Sequence, residues 1–366
     1  MSSSKPPVPY TPSVESIDAD EQKTVAEVEA TMAKIREKTF ADSGHAMRSV
    51  HAKSQGVLRA HVIVESGLPA ALAQGLFAAP ASYEALMRFS TIPGDILDDK
   101  VSVPRGLALK ILGVPGERLP GSEGDTTQNF VFIDGPAFNA PSAKKFLGSL
   151  KQLAATTDKA EGAKMALSSL LQATEKVVEA FGGQSTKLVS MGGHPETQVL
   201  GQTFFTAAAL RHGRFMAKLS VKPVSPDLKA LTDKKVDLAD RPDGLREETV
   251  AFMRAHRAEW ALQVQLCTDL ETMPIEDASV EWPQDESPYI TVARIVAEPQ
   301  LAYSAELAKA VDDGMFFSPW RGLAAHQPIG NVMRARRRAY DQSAQFRAAR
   351  NGTPVVEPRD LSMLPR

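Results

Sequence analysis

The chain has 366 residues, 43% hydrophobic and 23% charged, with a formal net charge of −2. Those values suit a globular chain of one large domain or two ordinary ones and exclude a global basic field for nucleic acid. A single cysteine, Cys267, excludes an intramolecular disulfide and a cysteine-built metal or attachment motif.

The first stretch, MSSSKPPVPYTPSVES, is polar and proline-rich, so residues 1–18 are expected to form a flexible arm. It has no apolar h-region, and no run of eighteen apolar residues follows, so neither a signal peptide nor a membrane span is expected. With one cysteine, the expected setting is reducing and cytoplasmic. From residue 19 to about 39 the pattern VAEVEATMAKI predicts a helix, capped by Asp18 or Asp20. Four strand-like runs follow, 57–66, 85–91, 106–114 and 129–135, bounded by Gly, Pro and Asp. Residues 142–181 suit a long helix, broken near Thr157 and Asp158. Four more strands are predicted at 202–211, 214–223, 260–269 and 289–297, mostly separated by loops with Pro and Asp. The end of the chain reads as helix over 304–313 and 328–350.

Eight strands in two groups of four, several joined by short turns, predict an α+β protein with a closed or nearly closed antiparallel sheet. Residues 19–350 read as one domain and 351–366 as a tail. No glycine-rich phosphate loop, GxSxG elbow or HExxH helix occurs.

The segment RARRRAYDQSAQFR (334–347) is the most basic in the chain and encloses one phenol, Tyr340. On a helix Arg336, Tyr340 and Arg347 share one face, within about 40° of each other. A nearby cation favours phenolate over phenol, and a ferric ion favours it more. Such a tyrosine is a sensible anionic ligand for iron and one of the few axial ligands that haem proteins use. Taken alone, the segment is better explained as a solvated basic helix with Tyr340 packed at its edge.

Four blocks change that balance. RSVHAKSQG (48–56) resembles the distal-histidine motif of haem catalases, and MRFSTIPGD (87–95) resembles their R-F-S-T-x-x-G-[DE]. VPRGLALKI (103–111) resembles D-P-R-G-F-A-x-K. FSP (317–319) with RRRAYDQSAQFR (336–347) resembles F-S-P and R-x-x-x-Y-x-D-T-x-x-x-R. The blocks keep that family's order and comparable spacing. The chain is shorter than typical catalases and looks like the minimal, catalase-related peroxidase branch of the superfamily.

The resemblance implies a catalase-type eight-stranded antiparallel β-barrel with surrounding helices, holding haem b. Tyr340 is then the iron ligand and Arg336 the partner of its phenolate. His51 is the distal histidine, preceded by Val50 and oriented by Ser90. Arg48, Arg88 and Arg347 match the positions that bind haem propionates, and Phe138 matches the phenylalanine stacked on the distal side. Arginine suits carboxylates, and histidine suits a proton shuttle to peroxide.

The match departs at several places. Thr127 stands where the family has its distal asparagine, with Asn129 two positions later. Ser54 replaces a glycine, Gln342 an aspartate and Ser343 a threonine, with the acid one place early at Asp341. The family's long C-terminal extension is lacking, so an open pocket favouring organic donors or bulky hydroperoxides is expected.

The implied partners are a peroxide and an unidentified organic electron donor, with no nucleic acid. A homo-oligomer with an exchanged N-terminal helix is open. One alternative is rearrangement of fatty-acid hydroperoxides, as in allene oxide synthases, which Val50 argues against mildly. Another is a non-catalytic haem carrier or sensor. A phosphate-binding basic helix without haem ranks last. Among the other histidines, His326 is expected to be structural, orienting the Tyr340 helix. His45 is expected to be a solvated loop residue and His61 a strand-face residue. His194, His212 and His256 have no partner at metal spacing, and Cys267 is expected in the core.

Overall fold

The computed structural model describes residues 5–92, 94–156 and 195–365. Helix α1 (Glu21–Ser43) comes first and ends at Gly44, whose φ of +69° stops the helix. Strands β1 (Lys53–Val64), β2 (Ser82–Thr91), β3 (Arg105–Ile111) and β4 (Gln128–Ile133) form an antiparallel meander. Helix α2 (Ala143–Thr156) follows. The rest of the helix expected to residue 181, its break near Thr157, and His194 lie outside the described residues.

The second group holds β5 (Phe204–Phe205), β6 (Leu210–His212) and β7 (Phe215–Pro223). Helix α3 (Gly244–Ala255), β8 (Ala258–Leu266) and β9 (Ile290–Ala297) complete it. The strand expected over 202–211 is two short pieces, because Ala207 sits at φ +55° and turns the chain out of the extended region.

The sheet order is β5-β4-β3-β2-β1-β9-β8-β7-β6, and β5 also pairs with β7. Eight strands therefore close into an antiparallel barrel, and β6 adds a short hairpin to β7. The closing seam is thin. Ile133 pairs with Phe205 on one side of β5, and Phe204 and Phe205 pair with Val221 and Ser220 on the other.

Alternation along the strands fills the barrel. Leu58, Ala60 and Val62 of β1, Met87 and Phe89 of β2, and Leu107 and Leu109 of β3 point into one core with Trp260 and Phe204. The opposite residues face outward. Val57 and Leu86 meet Leu307, Val311, Met315, Phe317 and Leu364 in a second cluster outside the wall.

Helix α4 (Ala305–Ala308) runs into a wider π-type turn at Lys309–Asp313. Helix α5 (Asn331–Asn351) starts after Gly330, whose φ is +85° and where a Cβ would lie 2.6 Å from the Ile275 carbonyl oxygen. Only glycine fits there. Acids gather at the α5 start. Glu276 accepts from the Asn331 amide, and Arg334 pairs with Glu15 at 2.6 Å, Glu21 at 2.7 Å and Glu276 at 3.0 Å. The negative charge suits a helix N-terminus.

Residues within 5–18 make contacts with the barrel. The Val8 amide donates to the Cys267 carbonyl, the Tyr10 amide to that of Arg214, and Arg211 stacks on the Tyr10 ring. The tail also binds the barrel: Glu357 pairs with buried Lys110 at 2.6 Å, and the Val356 amide donates to the Gly314 carbonyl. Among the described residues no helix is long and apolar enough to cross a membrane.

Candidate functional site

One pocket lies between α5 and the outer face of the barrel wall, and its empty space is about 840 Å³, open mouth included. Helix α5 lines it with Arg336, Ala339, Tyr340, Ser343 and Arg347, spaced so that all fall on one helical face. The barrel side supplies Arg88 and Ser90 from β2, Gly106 and Ala108 from β3, and Val131 and Ile133 from β4. Arg48, Val50 and His51 come from the turn before β1, and Phe316 and Phe317 complete an apolar margin. Residues far apart in sequence thus meet because β2, β3 and β4 are neighbours and α5 borders the same pocket.

His51 has φ +56°, a left-handed conformation that a side-chain-bearing residue occupies at a cost. Arg88 holds the strained turn by donating Nη2 to the carbonyls of His51, at 3.0 Å, and Ala52, at 3.1 Å. The imidazole lies on Gly106, where a Cβ would come within 2.6 Å of its Cε1. Its Nδ1 is 3.3 Å from Ser90 Oγ, which is 3.4 Å from the Gly106 carbonyl oxygen. If Nδ1–H donates to Ser90 Oγ and the hydroxyl donates to the carbonyl, each proton is used once. Nε2 is then the basic nitrogen. Burial lowers the His51 pKa to about 3, and the Arg88 charge adds to the effect. The ring is therefore neutral and able to accept a proton at ordinary pH.

Tyr340 is half-buried, and among the described residues its hydroxyl has no protein hydrogen-bond partner. Arg336, one turn earlier, keeps its guanidinium by the Met333 sulfur, 3.4 Å away, and over the Phe138 ring, 5.2 Å from its centre. Arg48, Arg88 and Arg347 converge at the pocket edge around residues 311–315. Burial lowers the pKa of Arg347 to about 10 and that of Arg48 well below its usual value, and the neighbouring arginine charges add to both.

Seven of the expected site residues are therefore brought together: Arg48, His51, Arg88, Ser90, Arg336, Tyr340 and Arg347. Thr127, Asn129 and Phe138 are not. Asn129 lies nearer the start of β4 and Thr127 just before the strand, roughly 7 and 13 Å from Val131 at about 3.3 Å per residue. Thr127 Oγ1 donates to Glu357 Oε2, and Asn129 Nδ2 donates to the Arg321 carbonyl. Thr127 thus belongs to the buried network that anchors the tail, Asn129 ties β4 to the segment around Arg321, and Val131 takes the pocket-facing place. Phe138 packs beside Val332 and Met333 of α5 and meets the Phe146 ring of α2 at a 50° tilt. It supports Arg336 from the α5 side and does not stack on the His51 side.

Two further histidines, His326 and His212, are buried and structural. His326 is buried, and its Nε2 accepts from the Leu76 amide at 3.0 Å. His212 is also buried, with Nε2 donating to the Leu72 carbonyl at 2.9 Å. Burial lowers the pKa of His212 to about 4 and of His326 to about 3. The folded state thus holds fewer protons than the unfolded chain between about pH 6.5 and these values. Stability is full above about 6.5 and is lost as pH falls, by about 1.4 kcal/mol per unit for each histidine. Urea unfolding of the cofactor-free protein should therefore show a lower midpoint at pH 5 than at pH 7.5. Equal midpoints would contradict the assignment.

No protein-family model matches the chain, and no curated protein matches it in sequence. Solved structures do match in fold. A fungal catalase superposes with a TM-score of 0.59 and 16% identity, over 87% of this chain and 65% of that one. Catalase A from Saccharomyces cerevisiae gives 0.60 and 17% over 85% and 63%, and a bacterial catalase 0.58 and 15% over 87% and 61%. The chain has the catalase-type fold and spans less than two thirds of the length of these structures.

Proposed function

We propose that the protein is a haem-dependent peroxidase with the catalase fold, cleaving organic hydroperoxides in preference to hydrogen peroxide. The observation that carries this is the composition of one pocket. It joins a phenol without a protein hydrogen-bond partner among the described residues, an arginine one helical turn before it, a buried histidine, apolar walls and three arginines at one edge. That donor set fits haem. Tyr340 Oη would ligate the iron as phenolate, with Arg336 supplying a neighbouring positive charge. Arg48, Arg88 and Arg347 would take the propionates. Val131, Phe316, Phe317 and Ala339 would face the ring. A bound ferric haem supplies the redox equivalents for O–O cleavage and the later oxidation of a donor.

The chain's own part is proton handling and positioning. Nε2 of His51 accepts the peroxide proton and returns it to the departing oxygen, so that oxygen leaves as water or alcohol rather than as an anion. Ser90 and Gly106 fix the ring for that transfer. Arg88 fixes the backbone beneath it.

The choice of peroxide follows from what is missing beside His51. Asn129 points its amide to the Arg321 carbonyl, and Val131 and Ile133 stand on the pocket wall instead. An apolar wall gives hydrogen peroxide no amide to bind and gives an alkyl chain a surface to cover.

Titrating the purified protein with haem and reading the visible absorption spectrum tests the cofactor. A stoichiometric, tyrosinate-type ferric spectrum is expected, and failure to take up haem would sink the proposal. With haem bound, kcat/KM for an alkyl hydroperoxide should exceed that for hydrogen peroxide by about tenfold or more, a difference of ~1.4 kcal/mol. A preference for hydrogen peroxide with vigorous oxygen release would reverse the substrate assignment.

A further inference from the structure

The arginines at the pocket edge already share an acid. Arg48 Nη1 donates to Asp312 Oδ1 at 3.0 Å, and Arg88 Nε donates to the same oxygen at 2.6 Å. Arg48 Nη1 and Arg347 Nε also reach the Asp312 carbonyl, at 2.9 and 3.1 Å. The remaining contacts extend the clamp: Arg48 Nη2 donates to the Val311 and Met315 carbonyls, and Arg347 Nη2 to that of Met315. The π-type turn at Lys309–Asp313 brings these oxygens together. Asp313, the adjacent acid, hydrogen-bonds to His45 Nε2 at 3.0 Å and Asn351 Nδ2 at 3.2 Å, and its charge still acts on Arg48 and Arg347 from behind.

We propose that Asp312 is the resident counter-ion of a dicarboxylate site, setting the cluster of Arg48, Arg88 and Arg347 at a net charge of +2. The inference rests on the haem reading above and deepens it. Three guanidiniums cannot shed their protons under ordinary conditions, so their mutual repulsion must be met by anions. Counted over these four side chains, one carboxylate behind three guanidiniums leaves an excess of positive charge toward the pocket, the sign that two propionates need. Asp312 itself does not line the pocket, so it is a positioning residue. It acts on a ligand only through guanidiniums that both share. Burial opposes its charge, but Arg88 and Arg48 outweigh burial and keep it ionised. The site therefore recognises a pair of carboxylates at one edge of a flat, apolar ligand, and a ligand without them loses that contribution.

Sharing gives the test its sign. Removing the charge of Asp312 while keeping an oxygen acceptor leaves the cluster at +3. The free protein then loses stability, and a dicarboxylate ligand restores more than it does in the wild type. The measurement is the Tm of wild type, Asp312→Asn and Arg48→Gln, each alone, with haem and with haem dimethyl ester, whose carboxylates are masked. Absorbance reports independently whether the ring has bound. In the wild type haem should raise Tm more than the ester does. In Asp312→Asn the free protein should melt lower, the haem increment should grow, and the ester increment should stay as it was. In Arg48→Gln, at +1, the haem increment should fall toward that of the ester. The corresponding haem-over-ester affinity ratio should change by about tenfold in opposite directions in the two variants.

The proposal is overturned if the ring binds but the haem increment in Asp312→Asn equals or falls below that of the wild type. If Asp312→Asn does not fold, an unchanged haem-over-ester difference in Arg48→Gln overturns it alone. If the absorbance shows no ring binding to the wild type, the haem reading itself fails, an outcome distinct from the others.

Discussion

Replacing Tyr340 with phenylalanine is expected to remove the tyrosinate haem spectrum and to lower peroxide cleavage by at least about a hundredfold. The argument is local. The phenol projects from a helical face whose neighbours are Arg336, Ala339 and Ser343, and its hydroxyl has no protein partner among the described residues. Deleting that oxygen leaves no buried group unsatisfied, so the cofactor-free variant should keep its stability within about 1 kcal/mol. The test is the visible spectrum of wild type and Tyr340→Phe after identical haem loading, with a melting curve of each cofactor-free protein. Identical spectra would remove Tyr340 from the iron and leave the basic helix without that explanation. A collapsed melting curve would show the phenol to be structural.

The second large effect concerns His51, best probed as His51→Asn. Alanine would confound two losses, because the position has a left-handed backbone that asparagine tolerates and most residues do not. With the backbone preserved, haem uptake should persist, since no propionate or iron ligand is touched. Peroxide cleavage should fall by about 10²–10⁴, the usual contribution of a positioned acid–base group. The wild-type rate should stay level as pH falls through 6.5, because burial and Arg88 hold the His51 pKa near 3. Rapid-mixing kinetics with an alkyl hydroperoxide reads both. If His51→Asn reacts as fast as the wild type, the histidine shuttles no proton, and a carrier or sensor becomes the better reading.

Much of this site is legible in the sequence because it is periodic. Arg336, Tyr340 and Arg347 repeat on one helical face, and α5 runs from Asn331 to Asn351 as the pattern over 328–350 predicts. The eight closing strands are visible for the same reason, apart from the 202–211 run that Ala207 breaks. Thr127 and Asn129 mark the limit of that logic. Alternation tells which face of β4 they share with Val131, but not where along the strand the pocket ends. Phe138 came from resemblance alone, and its side of the pocket depends on how α2 and α5 pack. Asp312 left no local signal: its partners are Arg48, Arg88 and Arg347, from three separate segments. Helix α3 lies in a Pro- and Asp-rich segment that reads as a connection, although Leu245, Thr249 and Met253 bury one face at four-residue spacing.

The barrel's closure has a further consequence. Seven register pairs join β2 to β3, whereas β5 closes the ring with two residues and three pairings. A ring parts at its weakest link, and this one borders the pocket, since Ile133 of β4 and Thr206 just after β5 are both wall residues. Local opening there would free few hydrogen bonds and leave the rest of the core closed. Opening at that seam would leave the arginine edge in place, because Arg48, Arg88 and Arg347 are tied to residues 311–315 and not to β5.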